Sequence, residues 1–424
     1  MLKKQDNGKI TVANITLAQL SRGLYRSNAT VFKELINNAY DADASVVRID
    51  TNCPEFDYIS CVDNGNGMSL ENFVQHFSEQ GIGISTKRKG YVDFTDTYKR
   101  PLIGRLGIGL TAMGQLCHSF KIESHYIDDK GQKQAYRAEI ILTDDLIPTI
   151  EESIRKPDFI GQRIEVGEWC YEVIDYKPQK QGVRLYSADV RGTFVREMKA
   201  SFENPIDYQM LPFSLNQLVN KFYQQNSIRA AKPYFETIWE LSTLCPLPYL
   251  ENQLSPINFS KNRINTVNDF RVINFLKQRN QALIDYHFEL FFDGIKLKRF
   301  IQLPTDSNTI PLIHFVDFCQ TVFEAKLNFS GYLFVQKPSA IKPVELNGIQ
   351  IRLRNVGIGE YSWLRNYRYV DTEQSKWISG EIFVDEGLET ALNIDRDSFN
   401  EHEEHYQALQ NYLHDYLDQI FDEM

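Results

Sequence analysis

Phe32-Lys-Glu34-Leu-Ile-Asn-Asn38-Ala-Tyr-Asp41-Ala42 carries the strongest indication of architecture in this chain. It lies within a helical pattern over 28–43, with apolar residues recurring along one side. On a helix that turns about 100° per residue, Glu34, Asn38 and Asp41 fall within a narrow arc beside that apolar stripe. A carboxylate and an amide four residues apart can activate a water molecule and hold Mg²⁺ through an oxygen. An ordinary helix with a polar shoulder would look the same, so the stretch alone leaves both interpretations open.

A second cluster, Cys61-Val-Asp63-Asn-Gly65-Asn-Gly67-Met68, directly follows an apolar run that predicts a strand. A carboxylate at a strand end can accept a hydrogen bond from the exocyclic amine of adenine, and the glycines let the backbone approach the base. Such a buried acceptor discriminates between bases because a mismatched ligand leaves it unpaired. A plain Asp-Asn-Gly turn between strands has the same sequence, so this motif alone is weak.

The third cluster, Pro101-Leu-Ile-Gly104-Arg-Leu-Gly107-Ile-Gly109-Leu, opens a predicted helix. Glycine-rich backbone at a helix N-terminus presents free N–H groups and a positive dipole end to phosphate. A helix-packing device is an alternative, and a dinucleotide fingerprint is disfavoured because it should follow the first strand of a βαβ unit. A fourth cluster, Arg191-Gly192-Thr193, is predicted to begin a late strand around 192–198 and has meaning only with the other three.

In this order and spacing, the four clusters resemble the GHKL ATPases, which include gyrase-type topoisomerases, ninety-kilodalton heat-shock chaperones, histidine kinases and MutL-type repair proteins. The resemblance covers most of the first ~200 residues. It implies an α+β fold, with a GHKL-type α/β sandwich (a mixed, mostly antiparallel sheet covered by helices) followed by a smaller α/β domain. It also implies ATP and Mg²⁺ as ligands, with Glu34 as the general base, Asn38 as the metal ligand and Asp63 as the adenine acceptor. The remaining nucleotide contacts implied are Asp41, Gly67, Met68, Gly104, Gly107, Gly109 and Thr193.

The glycine- and lysine-rich stretch 78–103 would then be a lid that closes over ATP. Gly81, Gly83 and Gly90 provide the hinges that such a closure needs. Lys87, within Lys87-Arg88-Lys89, is a candidate phosphate contact, although a solvated basic loop explains the same residues. Histidine kinases lack the carboxylate at the position of Glu34, so the resemblance favours an ATPase.

Among these families the motifs look most similar to the heat-shock chaperones. Gly348-Ile-Gln-Ile-Arg-Leu-Arg-Asn-Val-Gly-Ile358 resembles their middle domain, and 380–399 resembles their catalytic loop. The resemblance implies that Arg396 contacts the γ-phosphate, with Lys337 and Lys342 as rivals because MutL-type relatives use a lysine. The alternative is an ATP-gated DNA clamp of the MutL or MORC kind. Arg352 and Arg354 would support it, since on one strand they would share a face.

Length and composition set the outer limits of these predictions. A chain of 424 residues predicts more than one domain, and we expect a nucleotide-binding domain over 1–205, a helical connector over 206–280 and a second domain over 281–424. The net charge of −10 argues against non-specific coating of nucleic acid. No apolar run approaches a membrane span, so we expect a cytoplasmic protein. The expected partners are ATP and either a second copy of the chain or another protein, with DNA possible.

Overall fold

The structure is a computed structural model, and the description below is confined to part of the chain. The described residues are 5–13, 27–77, 94–104, 109–142, 163–202, 214–223, 225–228, 232–250, 267–300, 312–364, 367–370, 372–393 and 397–423.

Seven α-helices lie within the described residues. None of them is both long and apolar enough to cross a lipid bilayer. The helices are α1 (Asn28–Asp41), α2 (Leu70–Phe77), α3 (Gly192–Lys199), α4 (Leu215–Tyr223), α5 (Pro233–Leu244), α6 (Val267–Asp285) and α7 (Glu404–Glu423).

The first sheet has nine strands among the described residues, in the spatial order β1-β6-β5-β4-β7-β3-β2-β8-β9. All neighbours pair antiparallel except β2 and β8, which pair in parallel. The sheet is therefore mixed and mostly antiparallel, as predicted. Its strands are β1 (Gln5–Ala13), β2 (Val46–Asp50), β3 (Ile59–Asp63), β4 (Cys117–Ile127), β5 (Lys133–Leu142), β6 (Arg163–Val173), β7 (Gly182–Val190), β8 (Glu289–Phe292) and β9 (Ile295–Leu297).

Helix α1 packs on one face of this sheet, which is called the inner face below. Alternation along the strands buries Val47 and Ile49 of β2 completely or almost completely, because successive side chains point to opposite faces. Phe32 of α1 is fully buried, with its ring 5.5 Å from that of Phe292 in β8. Ser27 caps the helix by accepting a hydrogen bond from the Thr30 N–H (3.3 Å), which satisfies a donor that the first turn leaves open.

The second sheet has five strands in the order β10-β11-β14-β12-β13. Its buried core includes an ion pair between Arg352 and Glu381, whose side chains are 1% and 2% exposed. The tyrosine hydroxyl of Tyr332 donates to Glu381 (3.0 Å), so the charged pair is further satisfied by a neutral donor. The strands are β10 (Leu312–Val322), β11 (Ala325–Val335), β12 (Gly348–Leu353), β13 (Val356–Ser362) and β14 (Ile378–Glu386).

The chain forms two compact units, each built from separate pieces of sequence. Unit 1 comprises Met1–Phe213, Lys232–Leu241 and Tyr286–Leu297, and unit 2 comprises Ser214–Ala231, Ser242–Asp285 and Lys298–Met424. The α+β class with a second α/β body is confirmed.

Two predictions about individual elements are wrong. Residues 192–198, predicted as a strand, form helix α3, whose first turn follows directly after β7. Arg352 and Arg354 do not share an exposed strand face. Arg352 is buried against Glu381, whereas Arg354 lies in the turn after β12, with a φ of 53°, and pairs with Glu389 (3.2 Å).

Candidate active site

The polar arc predicted on α1 from Glu34, Asn38 and Asp41 includes a fourth polar residue, Asn37. Glu34 is 4% exposed and Asn38 is half-buried. At about 100° per residue, Asn37 lies about 60° from Glu34 and about 40° beyond Asp41, on the same side of the helix. Asn37 is 1% exposed, and neither polar atom of its amide has a hydrogen-bond partner in the described part of the chain. A buried amide without a partner is costly, so the arc fits a polar ligand.

The first three sequence clusters meet at the C-terminal end of α1. The Asp41 carboxylate accepts hydrogen bonds from the backbone N–H groups of Ile103 (2.8 Å) and Gly104 (2.5 Å). The Asn66 N–H of the second cluster donates to the Ala42 carbonyl (2.7 Å). Three motifs that are far apart in the sequence are therefore joined by direct hydrogen bonds. Asp41 holds the start of the glycine-rich segment in place.

Asp63 ends β3 at this same junction. Its Oδ1 accepts hydrogen bonds from the Gly65 N–H (2.9 Å) and from the Val183 N–H at the start of β7 (3.3 Å). A Cβ on Gly182 would lie 2.2 Å from the Asp63 carbonyl oxygen, and the φ of Gly182 is +113°. Glycine is therefore required there for β7 to approach the carboxylate.

Met68 and Gly67 are fixed against β4. The Met68 N–H donates to the Ser124 hydroxyl (2.9 Å), and that hydroxyl donates to the Met68 carbonyl (2.8 Å). Gly67 has a φ of +77°, and a Cβ there would lie 2.6 Å from the His125 carbonyl oxygen. The second cluster is thus a rigid connection rather than a free turn.

The segment just before Gly104 is tied to the residue that follows α1. Asp43 accepts hydrogen bonds from the N–H groups of Thr97 (2.8 Å) and Tyr98 (3.2 Å). Burial opposes its ionised form, but hydrogen bonds from the Thr95 side chain and these two N–H groups outweigh burial and lower the pKa of Asp43.

Arg100 anchors the same segment from its other side. Its side chain is completely buried and donates to the carbonyls of Tyr286 (2.9 and 2.6 Å), Tyr40 (3.1 Å) and Ala44 (2.8 Å). The guanidinium also lies 4.4 Å from the ring centroid of Tyr98, where a cation is attracted to the ring. The last ten residues of the predicted lid are therefore held firmly at the end of α1.

Not every predicted residue is brought to this junction. Thr193 is exposed in the first turn of α3. Val190 lies seven positions after Val183, a distance of about 23 Å along a strand. Thr193, beyond Val190, therefore does not reach Asp63. Gly109 begins a 3₁₀-helix, Gly109–Gln115. Lys87, Gly107 and Arg396 lie outside the described residues.

The sequence motifs missed four residues that the structure places at the junction. Asn37 lies within the first cluster, but nothing local distinguishes it from its neighbours. Asp43 and Arg100 belong to no motif, because their roles depend on partners far along the chain. Val183 had a detectable signal, since the alternation of Val183 and Leu185 predicts a strand. That strand supplies the backbone donor to Asp63.

A polar helix face, a carboxylate at the end of a neighbouring strand and a glycine-rich segment thus meet in one cluster. Residues 25–160 match the family model described as "Histidine kinase-, DNA gyrase B-, and HSP90-like ATPase". The match supports ATP binding and hydrolysis in general terms.

One curated protein is similar over a shorter stretch. It is the "Putative type II restriction enzyme HgiDII" of Herpetosiphon aurantiacus, 38% identical over 99 residues. The match covers 23% of this chain and 15% of that protein.

Proposed function

We propose that this chain is a Mg²⁺-dependent ATPase in which hydrolysis, assisted by Glu34, drives closure of a lid over the nucleotide. The observation that carries the proposal is the junction at the end of α1, where Asp41, Ala42 and the loop after Asp63 are hydrogen-bonded together. Glu34 is 4% exposed on the same helix arc. A carboxylate held in that arc would accept the proton of the attacking water.

The residues of this arc also fit a metal-bound nucleotide. Asn38 would hold Mg²⁺ through its amide oxygen, and the unpartnered amide of Asn37 adds a second polar group beside it. When bound, Mg²⁺ supplies positive charge that offsets the charge on the phosphate oxygens. Asp63 would accept a hydrogen bond from the adenine amine, beside Gly67 and Met68. Gly104, Gly107 and Gly109 would present backbone N–H groups to the phosphates.

Lid closure is expected to pivot on the anchored segment. Residues 94–104 are held by Asp43, Arg100 and Asp41, so this part of the predicted lid would stay in place. In this scheme Lys87 contacts phosphate only when the lid is closed. The anchored segment keeps Gly104 in position in both states.

Arg396 is proposed as a contact of the γ-phosphate, and Lys337 and Lys342 remain its rivals. Asn393 and Ser398, on either side of it in the sequence, are hydrogen-bonded to each other. The Asn393 N–H donates to the Ser398 carbonyl (3.0 Å), and the Asn393 side-chain amide donates to the Ser398 hydroxyl (2.9 Å). A guanidinium on a short, clamped loop is suited to neutralise charge on a transferred phosphoryl group.

The test of the catalytic assignment is Glu34→Ala. We expect phosphate release to fall by roughly 10²–10⁴-fold, the usual effect of a lost general base. The dissociation constant for a non-hydrolysable ATP analogue should stay within about threefold of the wild-type value, because catalysis and binding use different groups. Glu71→Gln, an exposed glutamate in the first turn of α2, is the matched control. Unchanged phosphate release in Glu34→Ala would remove Glu34 from the mechanism.

The larger role is proposed as a chaperone-like conformational switch, in which closure clamps two domains or two copies of the chain. The DNA-clamp alternative loses part of its basis, because Arg352 is buried in an ion pair. The restriction-enzyme relative covers too little of either protein to favour one role. Duplex DNA binding that weakens steeply with salt and strengthens with the ATP analogue would favour the clamp. Analogue-dependent dimerisation without DNA binding would favour the switch.

A further inference from the structure

A row of paired residues runs across the face of the first sheet that lies opposite α1, called the outer face. Residues paired directly across neighbouring strands stand on the same face. The row spans seven strands from β8 to β6 and is called the outer row. Its members in spatial order are Phe291, Arg48, Val62, Arg184, Glu123, Arg137 and Glu172.

The two halves of the outer row differ in how their charges are satisfied. Glu123 accepts from Arg137 (2.9 Å) and from Lys180 (2.6 Å). By contrast, neither Arg48 nor Arg184 pairs with a carboxylate within the described ranges. The Arg48 guanidinium lies 4.0 Å from the Phe291 ring centroid, and Arg184 lies 5.1 Å from that of Tyr186 and donates to the Tyr58 hydroxyl (3.4 Å).

Stacking on aromatic rings orders these two arginines without neutralising them. A guanidinium that lies over a ring keeps its edge N–H groups directed outwards, and these match the oxygens of carboxylate and phosphate. Val62 stands between the two arginines in the outer row. Their Cα atoms are therefore two strand spacings apart, about 10 Å, and both side chains can reach one anion above Val62.

A cavity of about 420 Å³ lies over this part of the outer face. Val46 and Val62 contribute apolar surface, and Arg48, Arg184 and Lys180 contribute positive charge. Small-molecule sites typically have volumes of roughly 300–1,000 Å³ and combine an apolar floor with a few placed polar groups. The cavity has this size and composition.

The cavity lining also includes two carboxylates, Asp63 and Glu123, against the three cations, so about one positive charge is in excess. His125 Nδ1 accepts the Lys177 N–H (3.1 Å), and its Nε2 lies 3.1 Å from the Glu123 carboxylate. Burial opposes the ionised form of Glu123, but hydrogen bonds from Lys180, Arg137 and His125 lower its pKa to about 2. The single negative charge of Glu123 is shared by Arg137 and Lys180. Arg48 and Arg184 are two further cations that Glu123 does not pair with.

We propose that this cavity binds a small molecule with a phosphate or carboxylate group beside a flat apolar body, the oxyanion held between Arg48 and Arg184. Arg48, Val62 and Arg184 face away from α1, and the cavity reaches the junction at the end of that helix only at Asp63. The proposed hydrolysis uses none of the side chains of Arg48, Val62 and Arg184.

The test uses isothermal titration calorimetry with phenyl phosphate and with benzoate, which share a flat ring and differ in the anion. The full chain is first saturated with Mg²⁺ and a non-hydrolysable ATP analogue, so that neither probe is recorded at the nucleotide site. We expect one molecule to bind per chain. Arg48→Gln and Arg184→Gln should each weaken binding at least tenfold, whereas Arg196→Gln, an exposed arginine on α3, should not change it.

A second variant tests the site without removing either arginine. Val62→Glu would place a carboxylate between Arg48 and Arg184 and should abolish binding of both probes while thermal stability is kept. Preference for phenyl phosphate would identify a phosphate ligand, and preference for benzoate a carboxylate.

Three results would overturn the proposal. One is no heat of binding with either probe. Another is equal affinity in wild type and all variants. The third is tight binding of a single-stranded oligonucleotide through the same arginines with no binding of either probe, since the outer face would then be a nucleic-acid surface.

Discussion

The carboxyl group of Asp293 lies in the turn between β8 and β9 and accepts the N–H (2.6 Å) and the hydroxyl (2.7 Å) of Thr51. Burial raises its pKa from 3.8 to about 6, although the two hydrogen bonds from Thr51 act in the opposite direction. The folded protein therefore holds this proton more tightly than the unfolded chain does. Stability from this group is complete below about pH 4 and is lost as the pH rises through about 6.

Asp293→Asn should remove this pH dependence, because an amide does not ionise. A shift of about two pKa units corresponds to roughly 3 kcal/mol, so at pH 8 we expect the variant to be more stable than wild type by up to that amount. At pH 4 the two proteins should be equally stable. Urea unfolding at both pH values measures the difference, with the exposed Asp129→Asn as the control. A variant less stable at pH 8 would show that the ionised carboxylate is favourable.

Some residues of the candidate site could be predicted from the sequence, and others could not. Glu34, Asn38, Asp41 and Asp63 could be identified because each stands at a fixed spacing within a short motif. Arg100 could not, since its acceptors are carbonyls at positions 40, 44, 286 and 287, and no local pattern records them.

At the scale of elements, the end of α1 organises three separate segments. The chain leaves the helix through Ala42 and Asp43, and Asp43 adopts a left-handed φ of 58°. That turn places the Asp43 carboxylate against the backbone of 97–98. The position of the glycine-rich segment is thus set by the last turn of one helix.

Asp43→Ala should release residues 94–104 from α1. The N–H groups of Thr97 and Tyr98 would lose their acceptor, at roughly 0.5–1.5 kcal/mol for each hydrogen bond, and alanine disfavours a positive φ. We expect faster amide hydrogen exchange over 94–104 and weaker binding of the ATP analogue. Asparagine tolerates the left-handed turn and keeps one acceptor oxygen. The exchange rates and analogue affinity of Asp43→Asn should therefore lie between those of wild type and Asp43→Ala. Unchanged exchange in Asp43→Ala would show that Arg100 and Asp41 suffice to anchor the segment.

Most elements of unit 1 could be predicted because their patterns are local. The alternation in β2 and β3 and the 3.6-residue period of α1 each depend only on neighbouring residues. The strand predicted at 192–198 failed because Phe194 and Met198, four residues apart, are both buried on one side of α3. Buried residues four positions apart indicate a helix, whereas the strand was predicted together with the short motif at 191–193.

At the scale of the whole chain, unit 1 is built from three separate pieces of sequence. β8 pairs in parallel with β2, joining Val46–Ile49 to residues about 240 positions later. A strand pattern shows that a segment pairs but not which sheet it joins. For this reason the sequence could predict strands near 286 but assigned them to the second domain.

A fragment ending at 205 should therefore be unstable. It lacks Phe292, which packs on Phe32, and Tyr286, whose carbonyl accepts from the buried Arg100. It also leaves β2 as an open edge. We expect it to aggregate or melt well below a fragment ending at 300, by circular dichroism and size-exclusion chromatography. Equal melting temperatures would show that β8 and β9 are dispensable.

The parallel pairing of β2 with β8 has a consequence for synthesis of the protein on the ribosome. A ribosome adds roughly 5–20 residues per second, so β2 emerges many seconds before the strand that will cover its edge exists. During that interval the half-finished sheet presents unpaired backbone groups beside apolar side chains. Nascent chains of this protein should therefore bind holdase chaperones until about residue 297 has left the exit tunnel.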